Sequence, residues 1–200
     1  MSRIITINRQ FGSGGREVGK RLADALQCAY YDKELLSKLS EETGFSPDFI
    51  EQFDEVATRD YGFTFARTIV SYIPTPMEKI QIEQNILLRK IAEKGNCVII
   101  GRCSNNVLSE YNPFKVFIYS SDMKCRVERC FEKVPEDRET KTFEKMEKEI
   151  LAVDKRRRKY YEYYTGEKWL NMNNYNLCID TSKVSIKKAV ELIMKALETE

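Results

Sequence analysis

The chain has 200 residues, 42% of them hydrophobic and 32% charged, with 33 Lys+Arg set against 31 Asp+Glu. That composition argues against a disordered chain, and the near-balance of charge argues against a nucleic-acid coat or a polybasic membrane binder. Histidine is absent, which excludes Ser–His–Asp triads, Cys–His nucleophile pairs, His-ligated zinc and histidine general bases.

Arg3–Asn8 (RIITIN) is a short β-branched run closed by polar and glycine residues, the pattern of a buried strand. From Gly14 onward Val18, Leu22 and Leu26 fall four apart, so a helix begins directly behind it. Ala29–Tyr31 reads as a second, very short strand. Asp32 then caps a helix carrying Leu35, Leu36 and Leu39 that ends at Gly44, and Ser46-Pro47 starts another with Phe49, Ile50 and Phe53 as its stripe. Residues 58–76 carry no assignable pattern.

Met77–Glu93 is an amphipathic helix ending at Gly95, and Cys97–Ile100 is an apolar strand stopped by Gly101. Val116–Tyr119 is a further strand, followed by Ser121–Asp122 capping a helix through Phe131. Residues 132–164 are dense in both signs of charge, as expected of a mobile flap feeding a long solvated helix. Leu177–Ile179 is the last strand and Val184–Leu197 a closing amphipathic helix. Strands apolar on both faces and separated by helices imply a three-layer α/β domain spanning residues 1–200, with about five parallel strands.

The six cysteines have no C-x-x-C spacing, four of them (Cys28, Cys97, Cys125 and Cys178) sit inside apolar runs, and they read as free buried thiols. The N-terminus has too short an apolar run for a signal peptide, and no stretch approaches the ~18 apolar residues of a membrane span. The expectation is a cytoplasmic protein with no membrane partner, and the near-balance of charge weighs against a nucleic-acid partner.

Chemistry concentrates first in Arg9–Glu17, RQFGSGGRE. Three glycines in four residues let backbone amides turn inward, and a helix N-terminus follows, which together form a phosphate cradle. The motif departs from G-x-x-x-x-G-K-[ST], whose lysine reaches the β/γ-phosphates and whose hydroxyl meets Mg²⁺. Gly14 to Gly19 with Lys20 is a literal partial match, but Arg21 replaces the hydroxyl and the helical spacing of Val18, Leu22 and Leu26 puts Gly19 and Lys20 inside the helix. In this register Gly12, Ser13, Gly14 and Gly15 hold phosphate, and Arg16 is the candidate cation.

Two further groups stand out. Arg102 and Cys103 follow an apolar strand, at the end where open α/β sheets bind ligands. In DKRRRKYYEYY, Asp154 and Arg157 lie three apart and share a helix face.

The blocks ITINRQFGSGGREVGKRLA, YYDKELL, VIIGRC, VFIYSS, VDKRRRKYYEYYTGEKW and NLCIDTS together resemble the cytidylate kinase-like branch of the P-loop nucleoside monophosphate kinases. They run in family order along nearly the whole chain. The resemblance implies a P-loop kinase-like fold with helices on both faces of the sheet, an acceptor-binding helical region at 33–95 and a helical lid at 132–164. It implies phosphoryl transfer from ATP, with Mg²⁺, to a nucleoside monophosphate such as CMP or dCMP. Arg102, Asp32, Cys103, Asp154 and Arg157 would meet the acceptor, and Arg16, Arg102 and Arg157 would act in catalysis. Cytidylate kinases carry aspartate where this chain has Cys103, and a further acid at Ile100. Two other readings remain: a nucleotide-binding regulatory protein without transfer chemistry, and an RNA binder using Lys155–Lys159 with Tyr160, Tyr161, Tyr163 and Tyr164.

Overall fold

Runs of β-branched and aromatic residues pair into one five-stranded sheet of order β2-β3-β1-β4-β5. They are β1 (Ile4–Arg9), β2 (Ala29–Tyr31), β3 (Cys97–Ile100), β4 (Phe114–Tyr119) and β5 (Leu177–Asp180). Every pairing is parallel, with Ile7 opposite Ile100 on one side and Val116 on the other. The computed structural model describes residues 3–32, 37, 40, 41, 44, 46 and 76–199. Most of the helices expected between Asp32 and Phe53, and all of 58–75, lie outside the described residues.

The alternation of side chains along each strand sends Ile5, Ile7, Val116 and Ile118 to one face. There they meet Val18 and Leu22 of α1 (Gly15–Leu26) and Val190 and Ile193 of the C-terminal helix α7 (Ile186–Leu197). On the opposite face Ile4, Cys97 and Ile99 pack on Leu88 and Ile91 of α2 (Pro76–Lys94) and on Leu108, behind the short helix α3 (Ser104–Val107). Burying each such aliphatic side chain contributes about 1.5–3 kcal/mol. Apolar residues on both faces of the central strands therefore dictate both layers, with the buried Thr6 and Asn8 of β1 as polar exceptions on the Ile4 face.

Three helices lie beyond the carboxyl ends of the strands: α4 (Met123–Lys133), α5 (Pro135–Thr140) and α6 (Phe143–Thr165). Local chemistry sets their ends. Asp122 accepts from the Lys124 amide at 2.8 Å, Thr142 from the Lys145 amide at 3.3 Å, and Gly166 closes α6 with φ +70°.

The segment expected as a flap with a solvated helix is helical and partly buried. Its long helix tucks Met146 and Ile150 against Val127 and Phe131 of α4, because those apolar positions recur four apart on one face. Tyr161 of the same helix is buried with Cys103, Phe117 and Trp169. All six cysteines are free, but only Cys97 and Cys103 are buried. None of the described helices is long and apolar enough to cross a membrane.

Candidate active site

The chain crosses from one half of the sheet to the other between β1 and β4, and the glycine loop sits at the carboxyl end of β1 beside that crevice. Gly12 and Gly14 have φ of +74° and +78°, a left-handed geometry that costs glycine little. A side chain at Gly12 would also meet the Arg126 carbonyl oxygen at 2.8 Å. The Val18 amide bonds the Gly14 carbonyl at 3.0 Å, so α1 starts immediately and its first-turn amides are left open towards the loop. Ser13 is fully buried, and its hydroxyl donates to the Gln10 carbonyl at 2.9 Å.

The loop is braced from three directions. Asp154 of α6 accepts the Phe11 amide at 2.8 Å and forms an ion pair with Arg126 of α4. Arg126 Nε donates to the Phe11 carbonyl at 2.8 Å, so both backbone polar groups of one residue, in two successive peptide units, are held. Arg129, one turn further along α4, donates to the Gly12 carbonyl at 3.3 Å and to the Thr181 carbonyl at 2.5 Å. The Thr181 hydroxyl donates to the Ser13 carbonyl at 2.7 Å. Arg157 Nη1 donates to the Arg9 carbonyl at 3.1 Å, with its guanidinium 5.5 Å from the centre of the Phe11 ring.

A cavity of about 380 Å³ opens over this loop. Six cations line it, Arg9, Arg16, Arg129, Lys133, Lys141 and Arg157, against the acids Asp137 and Glu149. Lys141 is paired with both acids, whereas Lys133 makes no ion pair or hydrogen bond among the described residues. Fixed amides and an excess of positive charge are what a polyphosphate requires. Among the described residues no cluster of three His, Cys, Asp or Glu could hold a metal ion. The donor set fits Mg²⁺ only as an ion carried by phosphate oxygens and water, a common mode for this cation.

The residues singled out in the sequence fall into two groups. Gly12, Gly14, Gly15, Arg16 and Arg157 line the cavity. Arg16 is also paired with Asp32, which accepts a hydrogen bond from the Tyr30 hydroxyl at 3.4 Å. Asp154 is buried beneath the loop, and Cys103 is 3% exposed among aromatic side chains. Gly19 and Lys20 lie within α1.

Arg102 occupies an unusual backbone. Gly101, Arg102 and Cys103 follow β3 with φ of +70°, +63° and +52°, three successive left-handed residues, two of them with side chains. Such strain persists where surrounding contacts impose it, often at functional sites. Here Gly101 N–H bonds the Ile7 carbonyl at 2.9 Å, and the buried Gln84 donates to the Arg102 carbonyl at 3.3 Å and to the Tyr160 hydroxyl at 3.0 Å. The strand tip, α2 and α6 are thereby tied together.

Three residues that sequence reasoning passed over are central: Arg126, Arg129 and Lys133. Their signal was present as spacing, since positions three and seven apart on one helix share a face. Three tyrosines of α6 pack on one another, Tyr160 and Tyr163 lying 4.7 and 5.0 Å from the Tyr164 ring centre in tilted and edge-on contacts. Tyr161 is 2% exposed, and only Tyr163 is well exposed, at 72%.

The profile of the cytidylate kinase-like family matches residues 4–183. This chain belongs to that family. Its structure is similar to that of an uncharacterized protein from Eubacterium ventriosum, at 28% identity and TM-score 0.73, with 99% of each chain covered. It also resembles shikimate kinase from Bacteroides thetaiotaomicron, at 14% identity and TM-score 0.59 with 99% of each chain covered. The enzyme from Acinetobacter baumannii aligns at 13% identity and TM-score 0.54, over 98% of this chain and 94% of that one. At such identities the likeness to shikimate kinases is one of fold: the chain has a P-loop kinase-like fold. No curated protein matches the sequence.

Proposed function

We propose that this member of the cytidylate kinase-like family transfers the terminal phosphoryl group of ATP to the phosphate of a nucleoside monophosphate, CMP or dCMP in the first instance. The acceptor phosphate oxygen forms the new P–O bond, the bond to the β-phosphate breaks, and ADP and a nucleoside diphosphate result. The observation that carries this reading is the braced glycine loop under a cavity with four more cations than acids.

Gly12, Ser13, Gly14 and Gly15 would wrap the donor phosphates with backbone amides. Arg129, Lys133 and Arg157 would face the transferred group, replacing the lysine that the loop lacks. Arg16, with Asp32 alongside, would stand at the acceptor edge of the loop. Arg102 would grip the acceptor phosphate from the tip of β3. If Mg²⁺ is bound with ATP, phosphate oxygens and water would hold it, and it would supply charge neutralisation to the donor phosphates. Phosphoryl transfer is mainly positioning and charge neutralisation, so a chain without histidine has the required groups.

A second reading, nucleotide binding without transfer, is favoured by one feature: the loop itself supplies neither a lysine nor a hydroxyl at the usual positions. A coupled ADP-release assay across the common nucleoside monophosphates, with and without Mg²⁺, separates the two. Turnover that depends on both acceptor and Mg²⁺ supports transfer. Tight ATP binding with no acceptor-dependent ADP release supports the second reading.

A further inference from the structure

Away from the glycine loop, a second cavity of about 480 Å³ opens where the start of β4 meets the turn before β5. Six of the chain's ten asparagines line it: Asn105, Asn106, Asn112, Asn173, Asn174 and Asn176. They come from two stretches far apart in sequence, so the preference of asparagine for turns explains each stretch but not their convergence.

The amides do two different jobs. Asn105 is buried, accepting from Asn8 at 2.9 Å and donating to the Tyr161 hydroxyl at 2.9 Å. Asn174 donates to Glu167 at 2.8 Å, and Glu167 also accepts from the Tyr161 hydroxyl at 3.0 Å. Asn176 accepts from the Lys115 amide at 2.8 Å. These bonds build a fixed frame. Burial pushes the Tyr161 phenol up to about 12, so the frame stays neutral at that position. The side chains of Asn106, Asn112 and Asn173, by contrast, have no hydrogen-bond partner among the described residues, and they line the cleft.

The chemistry of the lining selects the ligand. One lysine, Lys115, and one acid, Glu167, offset each other, so neither an anion nor a cation is favoured. The lining is mostly polar, which disfavours an apolar ligand. Each free amide presents a paired donor and acceptor, and a hydroxyl is also both donor and acceptor. A volume in the ~300–1,000 Å³ range of small-molecule sites admits one or two sugar rings. We infer that this cleft binds a neutral polyhydroxylated ligand, a sugar or cyclic polyol, through the amides of Asn106, Asn112 and Asn173.

The test is titration calorimetry of the full chain with glucose, galactose, mannose, ribose and myo-inositol, each at low and high salt. Saturable binding of at least one probe is expected, little changed by salt because no ion pair is involved. Asn106→Ala and Asn173→Ala, both at ordinary backbone angles, should each weaken it roughly tenfold, the loss of a hydrogen-bonded amide, while melting like the parent chain. Gly14→Ala, at the other cavity, should bind the probe as the parent does. No saturable binding by any probe would overturn the inference. So would binding unchanged in both asparagine variants, or a preference for inorganic phosphate over every neutral probe.

Discussion

Asp154 and Arg126 clasp the backbone of Phe11 between them: the carboxylate takes its N–H, the guanidinium takes its carbonyl, and the two side chains pair. They come from different helices and are 8% and 4% exposed. The clasp makes the entry of the glycine loop a fixed part of the α4–α6 layer.

Removing one partner strands a buried charge, which typically costs about 3–5 kcal/mol. Asp154→Ala and Arg126→Ala are each expected to destabilise on that scale in urea melts, and the double variant by much less than the sum of the two. Additive losses would mean that the two side chains act independently.

The loop glycines should differ in a way sequence alone does not reveal. An added β-carbon at Gly12 runs into the Arg126 carbonyl oxygen at 2.8 Å, whereas at Gly14 it meets the flexible tip of Ile186 at 2.5 Å. Both positions demand positive φ. Gly12→Ala should therefore lower the melting temperature more than Gly14→Ala, since a side-chain tip yields more readily than backbone. Both should lose most of the thermal stabilisation by ATP, which for saturating ligand at ~100 times its dissociation constant is ~2.7 kcal/mol. Gly14→Ala binding ATP like the parent would count against the phosphate cradle.

The cation that replaces the loop lysine is expected on α4. Lys133→Ala should weaken ATP roughly ten- to hundredfold and AMP far less, because the lost contact is to distal phosphates. Lys133→Arg should restore most of the affinity. Lys20→Ala should have little effect, since Lys20 is exposed on α1. Equilibrium binding of the three nucleotides AMP, ADP and ATP measures each case. A crippling Lys20 variant beside a silent Lys133 variant would restore the literal Gly14-to-Lys20 register.

Much of this fold was legible because parallel strands buried on both faces carry uninterrupted apolar runs. Cys97–Ile100 was read with its observed ends, and Phe114–Tyr119 began two residues before the expected Val116. The helix Ser104–Val107 was missed: it is short, and the left-handed Arg102 and Cys103 before it are not residues that announce such a turn. In the candidate site, the glycine loop declared itself through composition. What the Asp154–Arg157 face packs against did not, because Phe11 and Arg9 are more than a hundred residues away and leave no local pattern. The charge density of that segment suggested solvent, whereas part of the charge is turned inward to hold the loop.

Asp180 gives a pH dependence of defined sign. Burial alone would favour its neutral form, but hydrogen bonds from the side chains and amides of Ser121 and Ser182 outweigh it and bring the carboxyl from 3.8 to about 2. A depressed carboxylate contributes stability that is fully present above its unfolded value and is lost as pH falls through its folded one. The stability contributed by this carboxylate should therefore fall away between about pH 4 and pH 2, through protonation of Asp180. Asp180→Asn should melt lower at neutral pH and show a shallower decline across that window. Parallel melting curves for the two chains against pH would refute this assignment.

The central claim is transfer to a nucleotide acceptor, and phosphorus NMR of the chain with ATP, Mg²⁺ and CMP observes it directly. Transfer requires the β-phosphate signal of CDP to grow in step with ADP, and to be lost in Gly12→Ala. ADP accompanied only by inorganic phosphate, or no change in a sample where ATP is demonstrably bound, would contradict it.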